Sequence, residues 1–189
     1  MKQGKLTVIG GPMFAGKTTL LQKRVRDVGQ KKTVAIKPSI DVRYDPGRIV
    51  THAQAELLSS KNALGIPAVV IDLTNPLLSS HVAKTTTLLA VDEANFFAFD
   101  ILYPEIQKVL ALGVNVIVTG LLYDAMKRPF GATLELMEHA DEKIVLSAVC
   151  VSCGGEAHNT KRLRKEGGQV LVGGADLYAP CCDVCWESN

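Results

Sequence analysis

Along the first three-quarters of the chain, short apolar runs rich in β-branched residues alternate with longer stretches of mixed polarity. Residues 5–10, ending in LTVIG, are expected to form a buried strand, and KKTVAIKP (31–38) a second one closed by Pro38. PAVVIDL (67–73), TTLLAVDEA (86–94) and VNVIVTG (114–120) continue the series. Apolar spacing predicts helices over residues 17–28 and 100–113, with Pro104 in the first turn of the latter. Strands that are apolar throughout and alternate with helices indicate a parallel sheet covered on both faces. The expected fold is therefore a doubly wound parallel α/β sheet, with ligands at the carboxyl ends of its strands. The connections 38–53 and 121–132 follow strands, where loops often carry binding residues. Near residue 148 glycine and cysteine take over and helical periodicity stops. A boundary there divides the chain into an α/β domain (1–147) and a small C-terminal domain (148–189).

Composition narrows the function classes. With 189 residues and 47% hydrophobic content the chain has material for a sizeable core. Its net charge of +2, from 21 basic and 19 acidic residues, gives no global attraction to nucleic acid or an anionic membrane. The basic clusters KRVR (23–26) and KRLRK (161–165) are short and read as solvated charges. No stretch approaches the ~18 apolar residues of a membrane span. The N-terminal apolar run leads straight into a binding motif, so a cleaved leader is not expected and a cytoplasmic location is.

That motif is GPMFAGKT. Gly11, Gly16, Lys17 and Thr18 match the phosphate-loop pattern G-x-x-x-x-G-K-[ST]. Its glycines let the backbone curl and aim N–H groups at phosphate oxygens, and the following helix N-terminus adds partial positive charge. Lys17 would neutralise the β/γ-phosphates and the Thr18 hydroxyl would ligate Mg²⁺. LLAVDE (88–93) ends a strand in two carboxylates. Asp92 stands where phosphate-loop enzymes place the acid that holds Mg²⁺. Glu93 is suited to take a proton from an attacking nucleophile. The pair alone leaves open whether that nucleophile is water or an alcohol.

All five cysteines lie in the last forty residues. Cys150/Cys153 and Cys182/Cys185 form two C-x-x-C knuckles, a spacing that can bring four thiolates to one tetrahedral Zn²⁺; redox-active pairs are the alternative, though no thioredoxin-like strand–helix setting surrounds them. Cys181 is left as a free thiol. Such a site is structural. It staples the ends of the 28 intervening residues (154–181), a long loop suited to closing over a ligand. His52, His81, His139 and His158 form no ligand pattern and are read as structural or exposed.

Taken together, GPMFAGKT, KPSIDVRYD, VDEANFF, RPFG, the paired knuckles, EAHNTKRL and VGGADLYAPCCDVC resemble the zinc-containing, cytosolic (type II) thymidine kinases, in the same order over nearly the whole chain. The resemblance implies ATP-dependent phosphorylation of the 5′-hydroxyl of thymidine, and of deoxyuridine. It makes Glu93 the general base beside Lys17. It assigns ATP to Gly11, Pro12, Met13, Phe14, Ala15, Gly16, Lys17 and Thr18, with Asp92, Glu93, Ala94 and Asn95. It places the nucleoside against Met13, Phe96, Leu121, Phe130, Thr160, Arg162, Leu171 and Tyr178, under a lasso-like loop at about 155–180. It also implies ATP, Mg²⁺ and structural Zn²⁺ as cofactors, a homotetramer and feedback binding of thymidine triphosphate. The chain departs from the family's strings at Asn95, at Ala53 and in LLYDAM (121–126), where Ala125 takes a position that is typically aromatic. Two other readings compete: an ATPase gripping nucleic acid, and a regulatory protein that senses nucleotides on a kinase fold. Only 5% aromatic residues and a near-neutral charge weigh against the first. The intact Lys17, Thr18, Asp92 and Glu93 weigh against the second.

Overall fold

The computed structural model describes residues 2–41, 45–56, 65–164 and 171–188. Residues 42–44 of KPSIDVRYD and 165–170 of the expected lasso lie outside the described residues. The chain starts with β1 (Leu6–Gly10) and α1 (Lys17–Val28), followed by β2 (Thr33–Pro38). β3 (Arg48–Ile49), α2 (His52–Glu56), β4 (Ile66–Pro67) and β5 (Val69–Ile71) come next. β6 (Leu88–Val91), α3 (Phe99–Ala111), β7 (Asn115–Gly120), α4 (Thr133–Glu138) and β8 (Glu142–Val145) complete the α/β part. The C-terminal part holds β9 (Ala148–Val149), β10 (Glu156–Ala157), β11 (Asn159–Arg162), β12 (Tyr178–Cys181) and α5 (Asp183–Glu187).

Six strands form one sheet in the order β5-β2-β6-β7-β1-β8, parallel throughout. Alternate side chains along its strands feed two cores. Leu6, Val8, Leu89, Val91, Val116 and Val118 pack under α3 and α4 with Leu102, Ile106 and Leu136. Ile9, Leu88, Ala90 and Ile117 pack under α1 with Leu21 and Val25. Both faces are covered, which is why these strands read as continuous apolar runs. Ile106 is fully buried in the first core. Ile106→Ala is expected to lower unfolding stability by about 2–5 kcal/mol, seen as an earlier urea midpoint.

Three local expectations shift. The run 67–73 is two strands rather than one. It breaks at Ala68, whose N–H goes to Gly47 O at 2.9 Å, so Ile66–Pro67 pairs with β3 and Val69–Ile71 becomes the sheet edge. Pro67 has no N–H to give a ladder and suits this break. Pro104 sits in the second turn of α3, not the first, because the helix begins at Phe99. Pro104 is exposed there, as is Asp100, whose carbonyl it cannot serve. Beyond residue 148 one helical turn does form: α5 is capped by Cys182 Sγ, which accepts from the Cys185 N–H at 3.4 Å.

Candidate functional site

The loop after β1 is shaped by backbone sterics. Gly11 adopts φ +147, and a Cβ there would lie 2.4 Å from Leu146 O. Gly16 adopts φ +83 immediately before α1, a conformation costly for any other residue. Lys17 opens the helix, is buried, and donates from Nζ to Pro12 O at 2.6 Å. The curled backbone and the helix N-terminus converge as phosphate binding requires.

β6 delivers the acidic pair. Asp92 is buried. It accepts from the Thr119 hydroxyl of the neighbouring β7, from Thr18 Oγ1 at 3.2 Å, and from the Glu93 N–H at 3.1 Å. Thr18 and Asp92 thus present oxygens to one point, a donor set that suits a hard divalent cation such as Mg²⁺. Glu93 holds a left-handed φ of +55, unusual for a non-glycine residue, which turns the chain out of the strand.

A cavity of about 360 Å³ opens between these groups. Of the residues assigned to ATP and the nucleoside, it is lined by Met13, Phe14, Gly16, Lys17, Thr18, Asp92, Glu93, Phe96, Leu121, Phe130, Thr160, Leu171 and Tyr178, and Ala53 and Ala125, two of the departures, line it too. The remainder lie elsewhere. Gly11 and Pro12 border a smaller cleft of about 110 Å³, which Thr160 shares. Ala94 and Asn95 are buried beneath the wall, where Asn95 Oδ1 accepts the Leu121 N–H at 2.9 Å. Arg162 stands behind Tyr178, its Nη2 3.2 Å from the phenol oxygen. Ala15 does not line the cavity.

The C-terminal part reaches this cavity through β11 and β12. Thr160 Oγ1 accepts the Met13 N–H at 2.9 Å, a direct bond between the two ends of the chain. Tyr178 donates from its hydroxyl to Leu171 O at 2.7 Å, which ties the returning loop to the strand. Phe96 and Phe130 meet edge to face at 5.8 Å and supply apolar wall.

Sequence reasoning missed several groups. His52 is not merely structural. It lines the cavity and packs edge-on against Phe14 at 5.4 Å. Lys37, Asp41, Arg48 and Asp124 also face it. Lys37 Nζ donates to Asp45 O at 2.6 Å and stands 3.5 Å from the Asp41 carboxylate. Asp124 accepts from Arg128 Nε and from the Met126 and Arg128 N–H groups at 2.8–3.0 Å, which fixes the LLYDAM turn. Lys37 and Asp41 stand in the KPSIDVRYD string, and Asp41, Arg48 and Asp124 in the connections 38–53 and 121–132, but nothing local in the sequence marked them as cavity residues.

The four knuckle sulfurs of Cys150, Cys153, Cys182 and Cys185 lie within 4.8 Å of one another. Cys153 Sγ and Cys182 Sγ are 3.7 Å apart, close to the ~3.8 Å edge of a tetrahedron with ~2.3 Å metal–sulfur bonds. The cluster could hold a metal ion, and the donor set fits a soft or borderline cation. The Cys182 and Cys153 backbone N–H groups pull the Cys150 thiol down to about 5. Hydrogen bonds with Cys182 and Cys153 push Cys185 up to about 12. Buried Cys181 stays outside the group, its thiol raised by burial.

The family model for thymidine kinase matches residues 4–186. The chain is 36% identical over 194 residues to the thymidine kinase of Coprothermobacter proteolyticus, covering 98% of this chain and 92% of that protein. It is 34% identical over 189 residues to that of Porphyromonas gingivalis, covering 99% and 87%. It is 36% identical over 187 residues to that of Pyrobaculum aerophilum, covering 94% and 95%.

Proposed function

The chain belongs to the thymidine kinase family, and on that premise we propose that it transfers the γ-phosphoryl group of ATP to the 5′-hydroxyl of thymidine. The observation that carries the reading is one cavity that holds a phosphate loop, a strand-end carboxylate and an aromatic-lined recess together. Water and nucleic acid fit it less well than a small neutral alcohol. The recess walls include Phe96, Phe130, Leu121 and Tyr178, which suit a base, while Lys17, Thr18 and Asp92 supply the phosphate end.

In this reading Gly11 to Thr18 hold the ATP phosphates, and Lys17 neutralises charge as it shifts to the leaving oxygen. Ala94 and Asn95 act from below, by shaping the wall. Thr18 and Asp92 would hold Mg²⁺, which when bound screens the phosphates. Glu93 takes the proton of the 5′-hydroxyl as that oxygen bonds to phosphorus and the bond to the β-phosphate oxygen breaks. Met13, Thr160, Leu171 and Tyr178 enclose the nucleoside, with Arg162 bracing Tyr178. Zn²⁺ at Cys150, Cys153, Cys182 and Cys185 would hold the 148–189 part as a small domain behind the 1–147 part. Deoxyuridine, which lacks only the base methyl, is a second substrate. Thymidine triphosphate combines both halves of the site and is a natural feedback ligand. A homotetramer and a cytoplasmic location complete the proposal. No helix among the described residues is long and apolar enough to cross a membrane.

A nucleoside panel with Mg-ATP tests it. Thymidine is expected to yield its 5′-monophosphate, with deoxyuridine next and purine nucleosides inert, read by product chromatography. ATP hydrolysis that responds to DNA and ignores nucleosides would overturn the assignment.

A further inference from the structure

Gln22 is 1% exposed and lies one turn beyond Thr18 on the same face of α1. A buried primary amide carries two donors and an acceptor that all need partners. Gln22 Nε2 donates to Ile49 O at 3.0 Å and to Gln54 Oε1 at 2.9 Å. Gln54 Nε2 donates back to Gln22 Oε1 at 3.1 Å. Gln54 also closes a capping box: the Thr51 N–H reaches its Oε1 at 3.0 Å, and its own N–H reaches Thr51 Oγ1 at 3.2 Å. A helix of five residues has no stability of its own, so α2 depends on these bonds. The same turn carries His52 and Ala53 into the cavity wall, and His52 meets Phe14, which holds a left-handed φ of +64 in the phosphate loop.

We propose that Gln22 and Gln54 form a latch that locks the Thr51–Gln54 wall to α1, and that both are positioning residues for the acceptor nucleoside. The second half of this proposal rests on the kinase reading above. The phosphate-loop N–H groups lie between β1 and α1 and Lys17 opens α1, so the sheet and α1 anchor the cradle, and α2 meets it at the Phe14 ring, through His52. What α2 adds to the cavity is side-chain surface, which a neutral nucleoside uses and a polyphosphate does not. Releasing the latch therefore acts on one substrate and not the other.

The test uses Gln22→Leu, Gln54→Leu and the double variant, which keep side-chain bulk and remove the amides. Each single variant is expected to raise the KM for thymidine about tenfold, with the KM for ATP within about twofold and kcat within about threefold. The double variant is expected to match the worse single one, because one unit is broken either way. Amide hydrogen exchange at Thr51 should accelerate in every variant, and at Gln54 in Gln22→Leu, although that substitution lies on another helix. Unchanged exchange would overturn the latch. Faster exchange with an unchanged thymidine KM, or a parallel loss of ATP affinity, would overturn the positioning role. If Gln22→Leu does not fold, the half-buried Gln54→Leu carries the same readouts. Wild-type protein inert toward thymidine would sink the kinase reading and the positioning role together, while the exchange data would still decide the latch.

Discussion

Glu93→Gln is expected to cut the rate of thymidine phosphorylation by a factor of about 10²–10⁴ and to leave ATP binding within about twofold. The substitution is nearly isosteric and removes the negative charge and with it the ability to accept a proton. The backbone turn should survive, because the Glu93 N–H is bonded to Asp92 Oδ1 at 3.1 Å and does not depend on the side chain. Lys17, Thr18 and Asp92 stay in place, so the phosphate end is untouched. Single-turnover kinetics and ATP titration separate the two effects. A loss confined to kcat supports proton transfer at Glu93. Full activity in Glu93→Gln would remove the residue from the chemistry, and a large loss of ATP affinity would make it part of the nucleotide site instead.

Stripping the proposed zinc is expected to unfasten the C-terminal part and abolish activity. Structural zinc sites of this kind contribute on the order of 10 kcal/mol to the fold they close. Here the hydrophobic cluster of the C-terminal part has only Cys150, Ala157 and Cys181 at its buried centre, too small a core to persist alone. Their loss would withdraw Thr160 from the Met13 N–H and Tyr178 from the cavity. Trp186 is the single tryptophan, next to Cys185 and 4.6 Å beneath the Lys127 ammonium, so it reports directly on the site. Chelation should release about one zinc per chain and change Trp186 emission in step with activity. Cys182→Ser should do the same without a chelator, because it removes one of the four thiolates while a serine hydroxyl still caps α5. Protein that contains no bound metal, or Cys182→Ser with unchanged emission and activity, would refute the staple.

Legibility followed distance along the chain. The buried strands, α1 and the C-x-x-C knuckles depend on residues within a turn or two of one another, and periodicity and spacing exposed them. The phosphate loop was readable for the same reason, since Gly11, Gly16, Lys17 and Thr18 act through one continuous stretch of backbone. His52 was not readable as part of the cavity wall, because its contact with Phe14 spans 38 positions and leaves no local pattern. The Thr119–Asp92 bond depends on β7 lying beside β6, and Asp124 acquires its place only once Arg128 folds back upon it. Pro104 was misplaced because helix starts are set by the packing of Phe99 as much as by the proline.

By itself the amino-acid order determined a parallel sheet covered on two sides, an anion cradle after the first strand, and two C-x-x-C knuckles near the end. These follow from hydrophobic burial, glycine backbone freedom and fixed ligand spacing, all of which act locally. Only the tertiary structure decided that the cradle and the thiol-pinned strands face one cavity, through the Met13–Thr160 bond, and that Gln22 and Gln54 clasp its wall. Those contacts join residues 147 and 32 positions apart, and no rule of sequence spacing encodes a meeting that sheet order and chain reversal bring about.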